Sequence, residues 1–169
     1  MKTLLPAVLI ALSFNAFSDT QTNRSKSAMN ENRPTQLDDL IRGEMAAVKT
    51  YDTALKKITD QNEKKKLTTI RENHVNAVAK LKTFANKDVR EDTETSGAWG
   101  AFATAYTGGA RLMGNDMALK ALTQGEEHGI KEYKEALDDA TIKPELKQMI
   151  RTQFLPKQEE HIKALKGFM

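Results

Sequence analysis

The chain has 169 residues, a formal charge of +3 at neutral pH and no cysteine. This length provides one domain with a packed core but is too short for two. The lack of cysteine excludes a disulfide framework, a thiol nucleophile and a lipid anchor on cysteine. Basic and acidic residues are nearly balanced and interleaved, which favours solvated helix faces over a nucleic-acid surface. We therefore expect one domain, held together by packing, that does not bind nucleic acid.

The first eighteen residues predict a signal peptide. The segment reads MKTLLPAVLIALSFNAFS, in which the basic Lys2 precedes an apolar run and small residues, Ala16 and Ser18, lie near its end. Proline and polar residues interrupt the run, which is shorter than the roughly 20 residues of a membrane span. We expect cleavage after Ser18, a periplasmic or secreted location and no stable membrane span after cleavage. Loss of this segment lowers the formal charge to +2, because Lys2 is its only charged residue.

Two helices are predicted in the first half of the remaining chain. Residues 19–34 are polar and predict a flexible lead-in that buries nothing, so the folded domain should comprise residues 35–169. Thr35, with an acid three residues later, gives a helix-start signal ahead of an apolar series with helical spacing. A second amphipathic pattern extends from about Gln61 to Phe84.

A long connection separates these helices from two more. It contains the segment AWGAFATAYTGGARLMG, residues 98–114, which predicts a short helix or pair of turns that either caps the protein's own core or contacts a partner. A third helix should start with Asn115 or Asp116 as its cap and end near Asp139. Pro144 should start a fourth helix that ends near Gly167, with a kink at Pro156.

The connection lengths predict the architecture. The first and second helices are joined by a few residues, as are the third and fourth, so each pair should form an antiparallel hairpin. A connection of almost thirty residues separates the hairpins. Short, long and short connections are typical of an all-α four-helix bundle with one crossover.

An internal repeat supports this arrangement. The stretches GEMAAVKTYDTAL (43–55) and GEEHGIKEYKEAL (125–137) are identical at six of thirteen positions. RENHVNAV (71–78) and QEEHIKAL (158–165) align more weakly. In each half, a helix with a glutamate on its apolar face is followed by a helix with a histidine on its apolar face.

These four polar residues should meet inside the bundle. They are Glu44, His74, Glu126 and His161. Burying a carboxylate costs several kcal/mol unless it is paired or hydrogen-bonded, and convergence of the four would supply the partners. Tyr51 and Tyr133 follow the two glutamates at equivalent positions, two turns further along each helix.

The repeat, the crossover and these residues together resemble the ferritin-like superfamily. Within it, the chain is similar over about residues 36–168 to uncharacterised bacterial ferritin-like proteins classed as a domain of unknown function. The resemblance implies a site in which the first and third helices each give a Glu and the second and fourth each give Glu-x-x-His. It implies metal ligands at Glu44, His74, Glu126 and His161. Tyr51 also follows Glu44 by seven residues, as is common in ferritins.

The two bridging glutamates of that site are replaced here by Arg71 and Gln158. Two carboxylates cannot neutralise two divalent ions, and the arginine adds repulsion, so a di-iron centre and its oxygen chemistry are disfavoured. Two interpretations follow. In the one we favour, Arg71 replaces the metal by pairing with Glu44 and Glu126, and the histidines and Gln158 complete a buried network. In the other, two Glu and two His hold one zinc or iron ion.

The sequence therefore favours an exported, non-enzymatic helical bundle without a cofactor. We expect it to act through its surface, on a protein partner or as a homo-oligomer, with a role in envelope stress suggested by analogy alone. The alternative is a metal-binding protein or oxidoreductase. No catalytic residue is predicted: His128 should face solvent, and the glycines at 108, 109 and 114 lack the spacing of a phosphate loop.

Overall fold

The computed structural model describes residues 35–85 and 115–169, with side chains in the second range described from residue 118 onward. The described chain is helical and contains no strand. Its elements are α1 (Gln36–Leu55), α2 (Gln61–Lys82), α3 (Asn115–Asp138), α4 (Pro144–Met149), a π-helical segment (Ile150–Phe154) and α5 (Leu155–Lys166). The last three are consecutive and form the fourth helix of the bundle.

The predicted all-α four-helix bundle is confirmed. The observed ends of the second, third and fourth helices differ from the predicted ones by one or two residues, where helices commonly fray. The signal peptide, the polar lead-in and the long connection with its short extra helix lie outside the described residues. No helix in the described ranges combines the length and the apolar character needed to cross a membrane.

Capping residues explain where α1 and α2 begin. Thr35 caps α1: its hydroxyl accepts from the Asp38 backbone N–H at 3.1 Å, and the Asp38 carboxylate accepts from the Thr35 N–H at 2.9 Å. This reciprocal pair satisfies two backbone donors that the helix itself cannot. Asp60 caps α2 by accepting from the N–H groups of Asn62 and Glu63.

The fourth helix changes its winding just before Pro156. The Leu155 N–H bonds to the carbonyl of Ile150, five residues earlier, so this turn is wider than an α-helical turn. Proline lacks an N–H and clashes with the turn before it, which makes a local departure from α-helical geometry the expected response. A π-helical segment therefore lies directly before Pro156, the residue at which the sequence predicted a kink.

Two apolar clusters fill the bundle, one toward each end. The first includes Leu40, Leu81 and Ile150, and the second includes Ile58, Leu67 and Leu165. Each hairpin packs on itself, α1 on α2 and α3 on α5, and α1 also packs on α3. The glutamates and histidines of the repeat lie between the two clusters along the helices, so they form a polar layer in the middle of the core.

Candidate functional site

The polar layer is buried and contains all four residues of the repeat. Glu44 is 5% exposed, His74 1%, Glu126 0% and His161 4%. One comes from each helix of the bundle, as the sequence predicted. Such burial requires every charge to have a close partner, because an unpaired buried charge would strongly destabilise the fold.

His74 lies between the two carboxylates. Its Nδ1 is 2.7 Å from Glu44 Oε2, and its Nε2 is 3.0 Å from Glu126 Oε1. Burial is the largest influence and lowers the pKa of His74, but Glu44 and Glu126 together outweigh it and raise this pKa to about 10. At neutral pH the ring is therefore an imidazolium that donates to a carboxylate from each hairpin.

Glu126 is the carboxylate that faces both histidines. Burial raises its pKa, but His74 and His161 outweigh that influence and lower this pKa to about 2. His161 contributes through its Nδ1, which is 3.2 Å from Glu126 Oε2. Glu126 thus stays ionised in a fully buried position because two imidazoles from different hairpins face it.

Each buried tyrosine donates a hydrogen bond to the glutamate of the other hairpin. The Tyr51 hydroxyl on α1 donates to Glu126 Oε1 at 2.5 Å, and the Tyr133 hydroxyl on α3 donates to Glu44 Oε1 at 2.7 Å. Burial and the neighbouring Glu44 raise the pKa of Tyr133 well above its usual value, so it remains a protonated donor. The two bonds form a crossed pair that links α1 to α3.

Gln158 also lies inside the layer and is 3% exposed. Its Nε2 donates to Glu44 Oε1 at 3.3 Å. Gly129 on α3 leaves the space for this amide, because a Cβ at that position would lie 3.1 Å from Gln158 Nε2. The carbonyl Oε1 of Gln158 is buried and has no hydrogen-bond donor among the described residues.

The predicted role of Arg71 is wrong. Its Nε lies 2.6 Å from Asp52 Oδ1 and its Nη2 lies 3.3 Å from Asp52 Oδ2, and its side chain is 32% exposed. Asp52 on α1 offers a two-point carboxylate partner at the solvent edge, so the guanidinium pairs without losing its hydration. Arg71 therefore does not bond to Glu44 or Glu126, and the buried cation is His74.

Sequence reasoning missed two residues of this environment. Asn73 places its Nδ2 3.0 Å from His161 Nε2, which gives that ring a second partner. Its only sequence signal is its position next to His74, about 100° around the helix and toward the fourth helix. The second missed residue is Asp52, which pairs with Arg71. Its sequence signal was an acidic residue next to Tyr51 on the helix that packs against α2. His128 lies outside the layer and is 3.1 Å from Glu132 on its own helix.

Three residues of the layer could hold one metal ion. His74, Glu126 and His161 each offer a ligand atom, and these atoms lie within 4.8 Å of one another. Two imidazoles and a carboxylate suit a single zinc or iron ion, and Glu44 could then orient the His74 ring from its other nitrogen. A dinuclear centre does not fit, because Arg71 lies outside the layer and Gln158 offers a neutral amide where bridging carboxylates would be needed.

The fold and the site define a four-helix-bundle protein with a buried carboxylate–histidine cluster. A family model described as a domain of unknown function, DUF2383, matches residues 21–139, and the chain belongs to this family. The predicted relationship to an uncharacterised domain family is thereby confirmed. The match includes Glu44, His74 and Glu126 and ends before the fourth helix. No curated protein and no solved structure matches the chain.

Proposed function

We propose that the protein is an exported, non-catalytic helical bundle in which a buried ion network stands where the ferritin-like resemblance implies a metal site. The observation that carries this proposal is His74 between Glu44 and Glu126, at 2.7 and 3.0 Å. The imidazolium supplies the positive charge that a metal ion would otherwise bring. The network then stabilises the bundle, and the protein acts through its surface on another protein or on a second copy.

The hydrogen bonds of the two carboxylates support this proposal. Glu44 accepts from His74, Tyr133 and Gln158, and Glu126 accepts from Tyr51 and faces both imidazoles. Carboxylates with several donors are stabilised in their charged form without a cofactor. A role in envelope stress rests on analogy with the ferritin-like superfamily alone.

Metal content is the decisive measurement for the ion network. The protein is purified without added metal, and zinc and iron are quantified by elemental analysis. We expect far less than one equivalent per chain, with no difference between the unaltered protein and Glu126→Ala. Metal near one equivalent that is lost in Glu126→Ala would contradict the proposal.

Export has its own test. The full chain is expressed in a bacterial cell, the cell is fractionated, and the intact mass of the protein is measured in each fraction. We expect a periplasmic or secreted form that lacks residues 1–18 and begins at Asp19. A chain without residues 1–18 is the control and should remain in the cytoplasm. Full-length protein confined to the cytoplasm would refute export.

A second candidate function is the binding of one zinc or iron ion, with a redox role if the ion is iron. The observation that favours it is the ligand triad His74, Glu126 and His161, within 4.8 Å. Zinc titration followed by calorimetry should then give one site that disappears in His161→Ala and persists in His128→Ala. His128 is the matched control because it lies on α3 outside the layer. Equal binding by both variants would exclude this site.

A further inference from the structure

Two hydrogen bonds join α2 to the fourth helix at either end of an open stretch between them. Asn73 Nδ2 lies 3.0 Å from His161 Nε2, and Lys80 Nζ donates to Gln153 Oε1 at 2.7 Å. The stretch of α2 from Asn73 to Lys80 is about 10 Å long, because a helix rises about 1.5 Å per residue. Direct contact between α2 and α5 is sparse, whereas α1 and α3 pack more closely on the other side of the bundle. The two hairpins therefore leave a gap between these bonds.

A groove of about 360 Å³ occupies this gap. Ala77 on α2 and Phe154 on the fourth helix line it and are buried, so they form its base. Its rims are exposed side chains, among them Asn76 and Lys80 on one side and Pro156 on the other. Small-molecule sites usually have volumes of roughly 300–1,000 Å³, so the groove is large enough for a small organic ligand.

The π-helical segment supplies part of one wall. Thr152, Gln153 and Phe154 belong to this segment and line the groove. A π-helical turn contains one more residue than an α-helical turn, which rotates the side chains before it by about 100° relative to those after it. Such turns often occur at functional sites. The wider winding before Pro156 therefore also determines which side chains face α2 here.

The groove carries an excess of positive charge at its Lys80 end. Its ionisable lining residues, within the described chain, are Lys80, Lys157 and Glu160. Lys157 pairs with Glu160 at 2.5 Å, so these two charges offset each other. Lys80 instead donates to the neutral amide of Gln153. Asn76, one helical turn before Lys80, adds an amide donor on the same face of α2. This end of the groove therefore favours an anionic group.

We propose that the groove binds a small organic monocarboxylate whose apolar body fits within the roughly 10 Å between the two bridging bonds. The carboxylate pairs with Lys80 and accepts from Asn76, and the apolar body lies along the base formed by Ala77 and Phe154. Burial of that body against the apolar base supplies the attraction, and the ammonium selects the charge of the ligand. The proposal does not depend on whether the polar layer holds a metal ion.

Nuclear magnetic resonance titrations test the charge and the length of the ligand. The probes are hexanoate, hexanol and hexylammonium, which share one carbon chain and differ in their charge. We expect hexanoate to shift the resonances of the Ala77 methyl and of the Asn76 side-chain amide saturably, with a Kd on the order of millimolar, as is usual for so few atoms. Hexanol should bind more weakly and hexylammonium most weakly. Equal affinity for hexanoate and hexylammonium, or no saturable shift with hexanoate, would overturn the proposal.

The role of Lys80 has its own variant and control. Lys80→Gln removes the ammonium and should weaken hexanoate binding by roughly two- to five-fold, as expected for an exposed ion pair, without changing hexanol binding. Lys82→Gln removes an exposed charge from the same helix outside the groove and should change neither. Equal weakening by both variants would show that only the net charge matters and would overturn the assignment of Lys80.

The groove itself is tested by filling it. Asn76→Phe places a ring at the rim and should abolish the hexanoate-induced shift at the Ala77 methyl. Val75→Phe, at the neighbouring exposed position outside the groove, should leave the shift unchanged. The thermal unfolding of each variant is measured alongside, so that loss of binding is scored only in a folded protein. If Asn76→Phe does not fold, Lys80→Gln against Lys82→Gln still decides. Hexanoate binding that survives Asn76→Phe would place the ligand elsewhere and overturn the proposal.

Discussion

The two hairpins place equivalent residues of the repeat in different environments. Gln158, three residues before His161, is 3% exposed and donates to Glu44. Arg71, three residues before His74, is 32% exposed and pairs with Asp52. The histidines themselves occupy corresponding buried positions. The two halves of the repeat therefore share the buried glutamates and histidines but differ in the residue three positions before each histidine.

Two further differences between the halves explain this divergence. The repeat aligns Gly129 with Ala47, and the missing Cβ at Gly129 leaves room for the amide of Gln158. It also aligns Asp52 with Lys134, so only the first hairpin has an acid at this position to pair with the residue three before the histidine. The side chain three residues before each histidine is therefore placed by one residue of the paired helix. Asp52 on α1 pairs with Arg71 at the solvent edge, and Gly129 on α3 leaves room for Gln158 in the core.

The largest effect should come from removing the buried cation. His74→Leu leaves Glu44 and Glu126 in the core without the charge between them, and we expect the free energy of unfolding to fall by about 3–5 kcal/mol. Urea denaturation at pH 7 measures this change. Val75→Leu, at a 40% exposed position on the same helix, is the control and should change little. A loss for His74→Leu as small as that of the control would refute the buried ion network.

The stability should also depend on pH in two directions. The pKa of Glu126 falls from 4.5 to about 2 on folding, so its contribution is present above pH 4.5 and is lost as the pH falls toward 2. The pKa of His74 rises from 6.5 to about 10, so its contribution is complete below pH 6.5 and is lost as the pH rises through 10. Urea denaturation across pH should show highest stability between about 4.5 and 6.5.

The His74→Leu variant sharpens the pH test. Because it lacks the imidazole, its stability should no longer decline between pH 6.5 and 10 through this group. An alkaline decline of the same size in both proteins would show that another group causes it.

The hydrogen bonds of Tyr51 and Tyr133 should each contribute less to the free energy of unfolding than His74 does, and the two contributions should be nearly equal. Tyr51→Phe and Tyr133→Phe each remove one donor to a buried carboxylate and keep the ring, and we expect a loss of about 1.5–3 kcal/mol for each. Thermal or urea unfolding of the two variants measures the values. A large loss in one and none in the other would show that the two hairpins do not share the layer equally.

The contact between Gly129 and Gln158 should give a coupling of about 1 kcal/mol. Gly129→Ala alone presses a Cβ against the amide, at 3.1 Å from Nε2, and offsets the gain in helix propensity. In a Gln158→Ala background the same change should be stabilising. A double-mutant cycle by urea denaturation measures the coupling, and strictly additive effects would contradict the packing described here.

The smallest effect should come from Arg71→Leu. The residue lies at the solvent edge and pairs with a half-exposed aspartate, an arrangement that contributes little because water screens it. We expect a smaller loss of unfolding free energy than for His74→Leu or for either tyrosine variant. A loss as large as that of His74→Leu would restore the rejected role of Arg71 inside the cluster.

The sequence predicted the helices, the hairpins and the convergence of four polar residues because each depends on a periodic or repeated pattern. Inward-facing positions follow from helical spacing, and Glu44 and Glu126 violate the apolar pattern at such positions in both halves of the repeat. The resemblance to ferritin-like proteins then supplied a plausible chemistry for the violation. These steps need only the order of residues along each helix.

The partners of Arg71 and His161 could not be predicted in the same way. Arg71 lies only about 60° from the His74 direction, so helical spacing allows it to turn inward or outward. The choice depends on Asp52 on another helix, as the bond of His161 depends on Asn73. Such contacts are set by how helices rotate against one another, and a single sequence carries no pattern for that rotation.

The crossed tyrosine bonds have a consequence for how the molecule comes apart. If one hairpin separates from the other, Glu44 and Glu126 each lose a tyrosine donor that belongs to the other hairpin. Both carboxylates then remain in a partly buried position with fewer hydrogen bonds, which is unfavourable. Partial opening is therefore disfavoured relative to complete unfolding. We expect the slowest-exchanging backbone amides of both hairpins to report one common opening free energy, as in a single cooperative unit.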